Sequence, residues 1–361
     1  MRLLLVNSAW PPSWGGGEKW FVEAAVWFAK NGHAVRLIGR PNSRLVRAAR
    51  ERAVDAIETP FGGDFDPRAV TRARKIISAF ESEIVLVNFN KEAYHFGLAA
   101  RKTGVPVVAR HGLPLWKARV HHRWLARRLL SGVIVNAATL WEEYRSLGLA
   151  PRYVAVIPNG VEMVEQKRGE LRRRFQIAQD CRLILAAGRL ESQKRLDRVI
   201  EAVARLLPGR PDLFGLIAGE GPLRADLEKQ IHARALDSNV RLAGFVEDFA
   251  AVCGDADLFL LTSDQEGMPN VLLESMAAGV ACVSFAVGSV PQIFAGELAD
   301  NLLPPGDVNG LCACAAALVD DPALRCEVGR RMQTRVAAGY SLESSLRRYE
   351  EVLQQMIGLA S

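Results

Sequence analysis

The sequence predicts an α/β protein built from two doubly wound parallel sheets, each covered by helices. Three observations carry that expectation. At 361 residues, with 49% hydrophobic and 24% charged content, the chain has the material of two soluble domains, because one core serves roughly 150 residues. Short β-branched or leucine-rich runs recur along it, separated by stretches of helical periodicity. These runs are continuous rather than alternating, as strands buried on both faces must be.

Taken in order, "RLLLVNS" opens as a strand and leads into "PPSWGGGEKW", with glycines at 15, 16 and 17, and then a helix over 17–31. "AVRLIG", "EIVLVNF", "VPVVARH", "GVIVNA" and "YVAVIPN" complete the first set of strands. The alternation pauses in the polar stretch "EMVEQKRGELRRRFQIAQD", read as a linker with one short helix, which puts the domain boundary near residue 164. The second set is "RLILAAG", "LFGLIAG", "VRLAGF", "DLFLLTS" and "ACVSFAV", with a helix over 193–207. A last helix, roughly 342–357, carries apolar residues at 342, 346, 349, 353 and 356 or 357. Such a single stripe has to pack on something, and it is expected to return across the domain junction. The organisation is thus 1–164, 165–340, and a terminal helix in 341–361.

Function classes narrow on charge and chemistry. Residues 1–160 carry 24 Lys+Arg against 12 Asp+Glu, and the rest of the chain is net negative, within a total of +6. A basic half suits an anionic partner or substrate. No apolar run reaches the roughly 18 residues of a membrane span, which leads us to expect a cytoplasmic protein. The six cysteines, all in the second half, have no histidine at ligand spacing and are read as reduced thiols. Two Asp-x-Asp sequences invite a metal. Asp64 to Asp66, however, reads as a cap for the helix from Pro67, and Asp255 to Asp257 leads straight into a buried strand. No metal and no cofactor are therefore expected.

Doubly wound domains bind ligands at the carboxyl ends of their strands. In the second domain, Gly188, Arg189 and Lys194 follow "RLILAAG", an arrangement of glycine and cations suited to a diphosphate. Gly219 and Gly221 form a tight turn after the next strand. In "SDQEGMPNVLLESMAAG", Glu266 closes a loop, Asn270 reads as the N-cap, and Val271 as the first helical residue, with Leu272 and Glu274 following. Backbone N–H groups hold an anion there and two carboxylates accept from vicinal hydroxyls. Phosphate and diols together point to a nucleotide sugar.

At these residues, with "GRL", "GEGP" and "VIPNGV" around them, the chain resembles the retaining glycosyltransferases of family 4, over roughly 150–310 in motifs and the whole length in plan. The resemblance implies the GT-B fold, two facing Rossmann-like domains. It assigns Glu274 to the ribose hydroxyls, the main chain at Phe245 and Val246 to the base, and Arg189 and Lys194 to the diphosphate. Glu266, with the backbone at Met268, Pro269 and Asn270, takes hydroxyls of the transferred sugar, and His111 stands near its 6-position. Gly16 and Gly17 become a side-chain-free wall that approaches the donor on closure, and Glu18 a cap. The implied mechanism is front-face transfer with retained configuration. UDP-sugars are the default donor, with GDP-linked mannose as the other option. "GSVPQ", with Ser289 and Gln292, departs from the family's usual Gly-Gly-x-Pro-Glu and leaves the sugar environment open.

The acceptor is expected to be a glycan or a lipid-linked or lipopolysaccharide-type molecule on the basic first domain. The stretch "WKARVHHRWLARRLL", 116–130, suits an anionic membrane surface or acidic glycan, or equally a helix with its cations in water. A nicotinamide oxidoreductase is disfavoured because Trp20 replaces the third glycine of its fingerprint and Arg40 stands where an acid is needed. Nucleic-acid binding lacks any recognition motif. A UDP-sugar epimerase of the same fold is the nearest enzymatic alternative.

Overall fold

The computed structural model describes residues 1–361 except 12, 65, 89–90, 113–126, 147, 149–152 and 360–361. The chain forms two compact units: Met1–Pro158 with Glu343–Ser361, and Asn159–Leu342. Each holds one wholly parallel sheet. The first has seven strands in the order β3-β2-β1-β4-β5-β6-β7 and the second six, β10-β9-β8-β11-β12-β13.

In the first unit the strands are β1 (Arg2–Val6), β2 (Ala34–Gly39), β3 (Ala56–Glu58), β4 (Ile84–Asn88), β5 (Val107–His111), β6 (Gly132–Val135) and β7 (Val154–Val156). Alternate residues such as Leu4, Val6, Val85, Val87, Val133 and Val135 are fully buried on one face and Leu3, Leu5 and Leu86 on the other. The helix Gly16–Lys30 buries Trp20, Phe21, Ala24 and Phe28. Asp66 accepts from the backbone N–H of Arg68 at 2.9 Å, capping the helix Pro67–Ala79 as its spacing before the proline predicts. Most of the basic stretch 116–130 lies outside the described residues; Leu129 and Leu130 are buried in the first core.

The second unit runs β8 (Arg182–Ala187), β9 (Leu213–Ala218), β10 (Val240–Gly244), β11 (Leu258–Leu261), β12 (Ala281–Phe285) and β13 (Leu302–Leu303). β3 and β13 were not among the strands expected, being only three and two residues long. The division between the compact units falls at Pro158/Asn159, a few residues before the expected position near 164. The reason is long-range: Val161 N–H donates to Tyr340 O (3.0 Å) and Leu342 N–H to Val161 O (2.9 Å), so residues 159–161 are already tied to the second unit. Gly160 lies against that pairing, where a Cβ would come within 2.3 Å of Ser341 O. Glu343–Ser361 are counted with the first unit, not as a separate segment. The helix Leu342–Gly358 places Tyr349 4.7 Å from Trp20 between ring centroids, and Glu350 2.7 Å from His33. Met356, rather than Ile357, completes its buried stripe.

Candidate active site

The strands of the second sheet all run the same way, so their carboxyl ends gather the loops that the sequence singles out. The strand order reverses between β8 and β11, and a crevice opens at such a switch point. Lys194 follows β8 and Glu266 follows β11. Across that point the ammonium of Lys194 lies 2.7 and 2.8 Å from the two carboxylate oxygens of Glu266, whose side chain is 7% exposed. Ser263 donates its hydroxyl to the same carboxylate at 2.7 Å.

The loops carrying this pair are stitched together. Thr262 donates its hydroxyl to the carbonyls of Lys194 (3.2 Å) and Arg195 (3.0 Å), and Asp264 N–H donates to Gln193 O at 2.9 Å. Burial pulls the Asp264 pKa upward, but hydrogen bonds from Arg198 and Arg195 outweigh it and hold the carboxyl below its ordinary range. Arg189 behaves differently: its side chain is 74% exposed and bonded to Glu191 at 2.7 Å.

The glycines serve main-chain approach. A Cβ at Gly219 (φ +144°) would sit 1.8 Å from Gly188 O, and one at Gly221 would sit 2.6 Å from Leu190 O. At Gly288 (φ +55°) it would meet Glu266 O at 2.0 Å. The next residue, Ser289, donates both its N–H (3.0 Å) and its hydroxyl (2.7 Å) to Gly267 O. The serine of "GSVPQ" therefore clamps the Glu266 loop from behind, and Gln292 contributes its carbonyl to Arg335 at 2.7 Å.

The helix after this loop is Asn270–Ala277, with Pro269 at the cap position and no side-chain cap. Asn270 was expected to cap and Val271 to begin the helix. Instead the Asn270 side-chain amide oxygen, Oδ1, accepts from Asn159 Nδ2 at 2.8 Å, so its side chain is spent on the "VIPNGV" segment. Asn159 also donates to Met268 O (3.3 Å) and, through its backbone, to Met268 Sδ (3.0 Å). Its motif was visible in the sequence, but its role in positioning this loop was not. Leu272 is fully buried, Met268 and Val246 nearly so, while the Phe245 side chain at the end of β10 is half exposed. Glu274 is buried in the helix, and Cys253 beside it has its thiol pushed up to about 12, first by burial and then by the Glu274 charge.

The Asp-x-Asp candidates are occupied structurally. Asp255 accepts from the backbone of Gly169 (2.6 Å) and Leu171 (2.8 Å), and Asp257 pairs with Arg172 and Arg325, each at 2.9 Å. All six cysteines are free thiols.

In the first unit, His111 ends β5, and its Nδ1 is hydrogen bonded to the Tyr144 hydroxyl at 2.9 Å. Burial raises the Tyr144 pKa, which keeps the phenol neutral. Gly15 donates its N–H to Glu18 at 2.9 Å, so Glu18 caps the helix that begins at Gly16. None of Gly15, Gly16 and Gly17 has a positive φ, and a Cβ at Gly17 would meet nothing within 4 Å. Their conformation does not demand glycine; the missing side chains leave the helix end bare.

Comparison with known proteins agrees with this layout. Residues 14–165 match the model described as Glycosyltransferase Family 4, and residues 167–335 match that described as Glycosyl transferases group 1. An alpha-D-kanosaminyltransferase of Streptomyces kanamyceticus is 32% identical over 50% of this chain, a match that spans only about half (47%) of that protein. A GDP-mannose-dependent alpha-(1-6)-phosphatidylinositol dimannoside mannosyltransferase of Mycobacterium tuberculosis is 26% identical over 83% of this chain and 84% of its own length. Among solved structures, Anabaena HepE in complex with UDP superposes with a TM-score of 0.85 at 18% identity, covering 98% of this chain and 100% of that one. The fold is thus the two-domain GT-B fold. With the two family models taking up nearly the whole chain in order, one on each domain, the protein belongs to the family 4 glycosyltransferases.

Proposed function

We propose that the chain transfers a sugar from a nucleoside-diphosphate sugar, with UDP the favoured nucleotide, to a glycan or lipid-linked acceptor, with retention at the anomeric carbon and without a metal. The observation that carries this reading is the part-buried Lys194–Glu266 pair at the switch point of the second sheet. In the structure the two charges compensate each other. On binding, the donor diphosphate takes over the ammonium, and the released carboxylate accepts hydroxyls of the sugar. Neither the ammonium nor the carboxylate is left without a hydrogen-bonding partner at any stage, which matters where solvent is scarce.

The acceptor oxygen then attacks the anomeric carbon on the face from which the diphosphate departs. The new C–O bond forms as the bond to the phosphate oxygen breaks, and that oxygen takes the acceptor proton. Lys194 stabilises the developing diphosphate charge, and Arg189 joins it by leaving Glu191. Glu274 takes the ribose hydroxyls, and the main chain at Phe245 and Val246 takes the base. His111, held through Nδ1 by its hydrogen bond with the Tyr144 hydroxyl, offers Nε2 to a sugar hydroxyl. The HepE complex with UDP supports uridine, and the phosphatidylinositol dimannoside mannosyltransferase relative supports a lipid-linked acceptor.

The test is to incubate the chain with a panel of nucleotide sugars and follow release of the nucleoside diphosphate. Slow hydrolysis of a UDP-sugar, unaffected by a chelator, is expected. Activity abolished by the chelator and restored by manganese would overturn metal-independent transfer.

A further inference from the structure

The first sheet also reverses its strand order, between β1 and β4, and the residues gathered at that switch point form a buried polar chain that ends in an exposed aromatic ring. Glu92, in the first turn of the helix Lys91–Ala100, is fully buried. Its carboxylate accepts the backbone N–H of Ser8 at 3.2 Å and the Ser8 hydroxyl on its other oxygen. The Ser8 carbonyl in turn accepts from Arg40 Nε at 2.7 Å, and Arg40 Nη1 donates to Phe61 O at 3.2 Å. The guanidinium of Arg40, itself buried, lies 4.3 Å from the ring centroid of Trp10. Asn7 fixes the same turn by accepting from Ala9 N–H at 2.9 Å. One residue group further on, Arg44 lies 4.8 Å from the Trp14 ring.

Trp10 is 65% exposed, whereas Trp20 in the adjoining helix is 1% exposed. An indole left in water and held from behind by a buried cation is a built surface, not core filling. We infer that Trp10 is the stacking platform for a pyranose ring of the acceptor, and that Arg40, Ser8 and Glu92 are positioning residues that hold it. This rests on the glycosyltransferase reading above. The chemistry selects a sugar. The electron-rich face of an indole pairs with the C–H face of a pyranose, and the ring stands at a switch point, where small ligands bind. A bilayer would call for a broader apolar patch. Among the described residues, the other exposed large hydrophobics of this unit are Val156 and Leu359, on other elements.

The experiment takes the full chain, as wild type, Trp10→Ala and Trp10→Phe, onto an array of immobilised oligosaccharides in the presence of UDP, with circular dichroism to check folding. The expected result is capture of oligosaccharides by the wild type, a loss of about tenfold for Trp10→Ala, the scale of one aromatic contact, and recovery of most of it by Trp10→Phe. Equal capture by Trp10→Ala would overturn the proposal. So would flotation with phosphatidylglycerol vesicles that Trp10→Ala abolishes while oligosaccharide capture stays intact. Hydrolysis of nucleotide sugars by the wild-type chain is measured alongside. Hydrolysis without any oligosaccharide capture overturns the platform and leaves the donor reading standing. Capture dependent on Trp10 without hydrolysis does the reverse.

Discussion

At the scale of single residues, the ion pair between Lys194 and Glu266 shows what sequence reading reaches and where it stops. Both residues were identifiable from their place after apolar strands. Their pairing was not, because it depends on β8 and β11 being neighbours, which no local pattern records. Lys194→Ala and Arg189→Ala are each expected to lower turnover by about a hundredfold, the scale of one lost charge donor, in steady-state assays with the donor identified from the panel. Unchanged turnover for either would remove that residue from the mechanism. Glu92 was invisible for a similar reason: its burial comes from the first sheet's topology. Burial pushes its carboxyl up to about 7, against hydrogen bonds from Ser8 and the Arg40 charge. Its folded pKa thus stands above the unfolded value of about 4.3. The folded state then binds the proton more tightly, and stability should fall as pH rises from about 4.5 to about 7. Glu92→Gln should flatten that slope in thermal melts of the first unit; an unchanged slope would show that Glu92 is ionised across the range.

At the scale of elements, the long strands were legible because a strand buried on both faces has to be continuously apolar. β3 and β13 were not, since Ala56–Glu58 and Leu302–Leu303 are hemmed in by Asp55 and Glu58 and by Asn301 and Pro304, whereas β7, as short and also at an edge, lies inside a longer apolar run. The Asn270 cap failed instructively. Local chemistry favours an asparagine at that place, but Asn159, more than a hundred residues away in the chain, competes for its side chain and wins. Glycines separate in the same way. Gly219→Ala and Gly288→Ala each put a Cβ against backbone at a positive φ, and should destabilise the second unit by roughly 2 kcal/mol or more. Gly288→Ala should also impair turnover, since it displaces the Glu266 loop. Gly17→Ala, with open space around it, should leave the melting temperature unchanged. A melting temperature for Gly288→Ala equal to the wild type would mean the loop yields freely.

At the scale of the whole molecule, the two-domain plan could be read from the alternation of elements, whereas the long-range ties of the segment between the units could not. The polar stretch after residue 161 looks like a linker, yet the helix Glu170–Arg174 within it is fastened to the second unit by Asp255. Because each unit packs its own buried core, two transitions are expected in calorimetry. UDP should raise only the second unit's, because ligand binding stabilises the unit that holds it. Deleting residues 343–361 should lower only the first unit's, by uncovering Trp20. A shift of the first unit's transition with UDP would place the nucleotide elsewhere.

The return of the helix Leu342–Gly358 to the first unit also sets an order of events during synthesis. The second unit has all its strands once residue 303 has been made. The first unit, although started earlier, still lacks the partner for Trp20 until Tyr349 leaves the ribosome. The domain translated first is thus the last to be finished, and a released chain that ends before residue 343 would present the Trp20 indole to chaperones beside a second unit that has all its strands and helices.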